Sequence, residues 1–199
     1  VEQGAIICLQ EVSTLWAGTL HAYFAARGYA FATGLYGHKF NGYMGVAVAV
    51  PLSKYDVLDV DITRVADTMR VVKDKPDERL IMKLINKLNS IFWQPILTLL
   101  VQWKLIRPEP EDPFKVSATR MNQMISLKLA PKGGNEKDAF VVGTYHMPCM
   151  FQLPSVMMIH CALSAQHIAR FSRGLPYVFC GDYNIKPDSR MYELFSTGR

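Results

Sequence analysis

Short apolar runs alternate with amphipathic stretches along most of the chain. Runs rich in β-branched and aromatic residues predict strands over residues 5–10, 29–33, 44–50, 55–63, 117–130, 138–146 and 177–180. Helices are predicted over residues 15–27, 154–172 and 189–196. In the first of these, Leu20, Phe24 and Arg27 lie along one side and Gly28 stops the helix. The runs at 117–130 and 138–146 flank Lys132-Gly133-Gly134-Asn135, a turn sequence that predicts a hairpin. Strands paired with helices in this order predict two packed sheets with helices outside.

Residues 73–113 interrupt that order and read as an insertion. Within them Leu80, Ile81, Leu84, Ile85 and Leu88 fall at helical spacing, with Lys83 and Lys87 on the other face. The next run, residues 91–106, is apolar but is broken by Gln94, Pro95 and Gln102. It is shorter than the ~20 residues that a spanning helix needs. Arg107-Pro108-Glu109-Pro110-Glu111-Asp112-Pro113 then reads as an extended linker. Three roles fit the insertion: a helical hairpin packed on the sheets, a substrate lid, or an interfacial membrane contact by residues 91–107. Trp93 and Trp103 flank the apolar stretch there, with Lys104 and Arg107 close by.

Three predicted strands carry chemistry at their C-terminal ends. Ala5-Ile6-Ile7-Cys8-Leu9-Gln10-Glu11 ends in a carboxylate that suits a hard cation better than a core. A cap for the following segment is the plain alternative. The strand over residues 138–146 ends in His146. Val178-Phe179-Cys180-Gly181-Asp182-Tyr183-Asn184 ends in an acid and an amide two residues apart. In extended chain their side chains leave on one face; an Asx turn leaving the strand is the alternative. In layered α/β proteins such strand ends gather at one edge.

Leu9-Gln10-Glu11-Val12, Asn41-Gly42-Tyr43-Met44-Gly45-Val46-Ala47, Thr144-Tyr145-His146 and Gly181-Asp182-Tyr183-Asn184 occur in this order. Together they resemble the motifs of the endonuclease/exonuclease/phosphatase superfamily, the metal-dependent phosphoesterases related to DNase I. The resemblance spans residues 5–195. It implies a four-layer α/β sandwich of two mixed β-sheets flanked by helices. It also implies Mg²⁺, or Mn²⁺, on Glu11, with His146 steadying the scissile phosphate. Asp182 would orient the attacking water and Asn184 would bond a phosphate oxygen. Ala118-Thr119-Arg120-Met121-Asn122-Gln123-Met124 resembles a strand of deadenylase-like members, so Arg120 and Asn122 are expected at the substrate, with Asn41 from the Gly-rich loop 34–43. The helix at 154–166 also resembles the nocturnin, Angel and deadenylase branch.

Two departures set further expectations. The family's Asn-bearing strand before Gln-Glu and its closing Ser-Asp-His strand have no counterpart here. The chain therefore reads as one domain incomplete at both ends, inactive or nearly so by itself. A non-catalytic binding or scaffold relative is the reading from another class, and a lipid phosphodiesterase of the neutral sphingomyelinase type is a third.

Composition adds less. Half of the 199 residues are hydrophobic, which fits a globular chain. The net charge of +5 suits an anionic partner such as nucleic acid or a phosphorylated metabolite. The four cysteines have no CxxC spacing and suggest thiols in a reducing, intracellular compartment, with Cys8 and Cys180 buried in strands.

Overall fold

The computed structural model describes residues 3–37, 44–69, 95 and 111–197. The chain divides into two compact units, Val1–Met69 with Pro113–Arg199, and Arg70–Asp112. Apart from Pro95, the helix expected at 77–90 and the interfacial segment at 91–107 lie outside the described residues. Among those described, no helix is long and apolar enough to cross a membrane.

The first unit holds seven strands and four α-helices among its described residues. The strands are β1 (Ile7–Val12), β2 (Tyr29–Leu35), β3 (Gly45–Pro51), β4 (Tyr55–Arg64), β5 (Gln123–Pro131), β6 (Phe140–His146) and β7 (Tyr177–Asp182). The helices are α1 (Thr14–Ala25), α2 (Pro113–Thr119), α3 (Pro154–Ser172) and α4 (Arg190–Thr197). One sheet has the order β1-β3-β2 and the other β4-β5-β6-β7. The first is wholly antiparallel. The second is mixed, because β7 runs parallel to β6.

Strand alternation sorts side chains into the layers. Val46, Val48 and Val50 of β3 meet Ile125, Leu127 and Leu129 of β5 between the sheets. Ala49 of β3, with Tyr29 and Phe31, instead faces Leu20 and Phe24, which lie on α1. On the far side of the second sheet, Met124, Val141 and Tyr145 pack against Met157, Cys161 and Ile168 of α3, with Leu194 and Phe195 of α4 alongside. The result is a four-layer α/β sandwich: helix, sheet, sheet, helices.

Local chemistry fixes the ends of these elements. The Ser13 hydroxyl accepts from the Trp16 amide at 3.3 Å and caps α1. Pro154 opens α3, and Arg173 closes it in the left-handed region.

The strand expected over residues 117–130 is corrected in its first part. Residues 117–119 complete α2, and β5 begins only at Gln123. Pro113, which ends the linker, opens this helix, since its fixed φ and missing N–H suit a first helical turn. Arg120 and Asn122 therefore lie in the turn between α2 and β5, outside any strand. The hairpin joining β5 to β6 is present, with Leu129 opposite Phe140.

Candidate active site

The motifs at residues 9–12 and 144–146 meet across the two sheets. Gln10 Nε2 donates to Thr144 Oγ1 at 2.9 Å. This bond pins β1 of one sheet to β6 of the other, one residue before Glu11 and two before His146. Glu11 then breaks the strand. Its φ of 57° is left-handed, unusual for a side chain larger than Gly, and the β1–β3 register shifts there. The irregularity leaves Glu11 exposed between half-buried Gln10 and buried Val12.

On the second sheet His146 and Asp182 are register partners in the parallel β6–β7 ladder. Their Nε2 and Oδ2 atoms stand 3.9 Å apart, beyond a direct hydrogen bond. Gly181 permits this approach: a Cβ there would stand 1.9 Å from the Tyr145 carbonyl oxygen, and its φ of 151° disfavours any other residue.

Asp182 and Asn184 do not leave an extended strand side by side. Asn184 has a φ of 52°, and its backbone N–H donates to Asp182 Oδ1 at 2.9 Å, forming an Asx turn. The turn holds the carboxylate by one oxygen and leaves Oδ2 toward His146. Asn184 Nδ2 donates to the Met147 carbonyl at 2.9 Å, which occupies one of its two N–H bonds.

Tyr36 was only one residue of the expected Gly-rich loop, yet it stands at the centre. Asn122 Nδ2 donates to the Tyr36 hydroxyl at 3.2 Å and to the His146 carbonyl at 2.9 Å. The Tyr36 hydroxyl in turn faces that carbonyl at 3.5 Å. Burial pushes its pKa up to about 12; the Asn122 donor lowers it, while the Glu11 and Asp182 carboxylates raise it further. Both carboxylates thus act on one hydroxyl, although they come from different sheets. No sequence motif marks Tyr36; its place just beyond the end of β2 does.

Asn122 and the His146 carbonyl meet at the Tyr36 hydroxyl, Asp182 and Asn184 lie beside His146 through the β6–β7 ladder and the Asx turn, and Glu11 is close enough to raise the Tyr36 pKa. Arg120 lines a neighbouring cavity of about 270 Å³ with Tyr36 and Asn122. Asn41 lies outside the described residues. Among the described residues no three His, Cys, Asp or Glu side chains group as a ready-made metal cluster. Mg²⁺ usually takes one or two carboxylates and keeps its waters, so the exposed Glu11 carboxylate fits such an ion by donor type.

Two other groups in this part of the fold are not reactive. Cys8 contacts Cys180 and Thr144, and burial pushes its thiol up to about 12. Cys8 and Cys180 are half-buried, less enclosed than expected, and all four cysteines are free. His160, the other histidine near the motifs, is fully buried in the layer of α3.

The sequence model of the Endonuclease/Exonuclease/phosphatase family matches residues 2–199. No curated protein matches the chain. Among solved structures, the human nocturnin catalytic domain with bound sulfate superposes with a TM-score of 0.65 at 14% identity, over 98% of this chain and 57% of that one. ANGEL2, a 2′,3′-cyclic phosphatase in complex with adenosine-2′,3′-vanadate, gives 0.65 at 18% identity over 97% and 43%. The mannosyl-6-phosphatase Bt3783 of Bacteroides thetaiotaomicron gives 0.57 at 15% identity over 97% and 56%. At these identities the likeness is one of fold, and this chain spans about half the length of the structures it matches.

Proposed function

The chain belongs to the endonuclease/exonuclease/phosphatase family, and from that membership we propose that the protein hydrolyses a phosphate ester by attack of water, with Mg²⁺ held at Glu11. The observation that carries this reading is the approach of His146 to Asp182 across the β6–β7 ladder, with Glu11 one residue beyond the Gln10–Thr144 bond that ties β1 to β6. A packing role would not bring two carboxylates and an imidazole to one exposed edge.

Each side chain has a distinct task in this reading. Asp182 is fixed through Oδ1 by the Asn184 amide, and its exposed Oδ2 can accept a proton from water. The 3.9 Å between His146 Nε2 and that oxygen leaves both groups to turn toward a substrate. His146, its carbonyl held by Asn122, would donate to a phosphoryl oxygen, as would the second N–H of the Asn184 amide. When bound, the cation would neutralise charge on the phosphate oxygens; Mn²⁺ has the same preference for oxygen ligands.

The test is a substrate panel with Mg²⁺ and with EDTA: RNA 3′ ends, DNA, dinucleotide phosphates, inositol phosphates and sphingomyelin. Hydrolysis of at least one, lost with EDTA and weakened in Glu11→Gln in a way that higher Mg²⁺ restores, is expected. No metal-dependent hydrolysis of any member would leave a binding or scaffold role instead.

A further inference from the structure

Resting on that hydrolytic reading, we infer that the cavity beside Tyr36 receives a second phosphate group of the substrate, and that Arg120 is the residue that binds it. The cavity abuts the reacting edge, because two of its lining residues, Tyr36 and Asn122, both contact the His146 carbonyl. Its volume of about 270 Å³ lies near the ~300 Å³ lower bound of small-molecule pockets, enough for a phosphorylated sugar.

Arg120 is held there by weak, neutral acceptors. Its Nε reaches the Val116 carbonyl at 3.4 Å and Nη1 the Met150 sulfur at 3.4 Å. The neighbouring guanidinium, Arg64, takes Asp67 at 2.8 Å and donates from Nε to the Arg120 carbonyl at 2.8 Å and from Nη2 to the Ala118 carbonyl. The turn is therefore clamped by the Arg64 guanidinium. Burial is the main cause of the low His160 pKa, and both guanidinium groups lie close enough to add to it. A planar guanidinium with long, neutral contacts gains from exchanging them for the oxygens of a phosphate.

The second phosphate could belong to the next residue of an oligonucleotide or to a small bisphosphate. The experiment reads binding, so that it stands apart from turnover. Full-length Asp182→Asn protein is titrated calorimetrically with adenosine 5′-monophosphate, adenosine 3′,5′-bisphosphate and 5′-phosphorylated diadenylate. The same series is repeated with Arg120→Gln and Arg120→Lys added, each checked for an unchanged thermal melt. A ligand with two phosphates is expected to bind about 10-fold or more tighter than the monophosphate. Arg120→Gln should remove that gain and leave monophosphate binding alone, and Arg120→Lys should keep part of it. A gain shared by the diadenylate assigns the site to an internucleotide phosphate; a gain confined to the bisphosphate assigns it to a terminal one. Equal affinity for one and two phosphates, or Arg120→Gln weakening all three ligands alike, overturns the inference. Because no hydrolysis is measured, a failed activity panel would not be mistaken for a failed binding site.

Discussion

Tyr145 and His146 are neighbours in β6, and their side chains enter two different environments. Tyr145 turns to the helix layer, where its hydroxyl meets His160 Nδ1 at 2.8 Å and His160 Nε2 meets the Ser117 carbonyl at 3.3 Å. That carbonyl can only accept, so Nε2 carries the proton and Nδ1 accepts from Tyr145. Burial lowers the His160 pKa to about 4. His146 turns to the candidate site, stays half-buried and has Asp182 at 3.9 Å. One histidine is satisfied and locked neutral, while the other is left with room for a partner. The backbone differs as well: the unusual left-handed residues Glu11 and Asn184 both stand at the reacting edge. Two of the three left-handed non-glycine residues among those described thus stand at the candidate site, and the third, Arg173, closes α3.

The contrast breaks most sharply at Asp182. Asp182→Asn keeps an acceptor for the Asn184 amide but removes the charge, so turnover should fall by on the order of 10²- to 10³-fold with KM and melting temperature nearly unchanged. Steady-state kinetics beside a thermal melt would check it, and a large drop in stability would move Asp182 to the structural side.

The helix-side pair should respond in the opposite way, through stability. His160 is neutral in the fold and must take up a proton against burial. Its contribution is fully present above its ordinary pKa of 6.5 and is lost as pH falls from there toward about 4. At ~1.4 kcal/mol per pH unit the loss approaches about 3 kcal/mol. Urea unfolding between pH 7 and 4 would show the slope, and His160→Leu should flatten it. An unchanged slope in that variant would mean that other groups govern the acid side.

Tyr36→Phe sharpens the comparison at the border. It removes a hydroxyl beside the His146 carbonyl while Asn122 keeps its bond to that carbonyl. A fall in kcat/KM of about 10-fold is expected, with stability changed by less than about 1 kcal/mol. Equal losses in activity and stability would count against a role in placing the reacting groups.

Tyr145→Phe carries the smallest effect. It strips His160 Nδ1 of its partner inside the helix layer and should cost about 1–2 kcal/mol without altering kcat. A change in kcat would couple the two faces of β6 and remove the distinction drawn between them.

Much of this was legible along the chain. The β-branched runs at 44–50 and 138–146, the Pro that opens α3 and the Ser that caps α1 act over a few residues, so strands and helices could be placed to within a few positions. Glu11, His146 and Asp182 could be named because each ends an apolar run, where a polar side chain has no packing reason to be. Stretches governed by longer-range contacts were not legible. Residues 117–119 have no decisive local preference; they complete a helix in which Ser117 is buried and its carbonyl accepts a hydrogen bond from His160 Nε2. At Asp182 and Asn184 the sequence allowed either a shared strand face or an Asx turn, and the Asx turn is what forms. Tyr36 carries no motif at all. Its place comes from the two sheets closing on each other, which sets a hydroxyl from the end of β2 against the His146 carbonyl of β6 and the Asn122 amide. Local sequence dictates backbone preference and which face is apolar; the distance between side chains on different strands is decided only when the sheets pack.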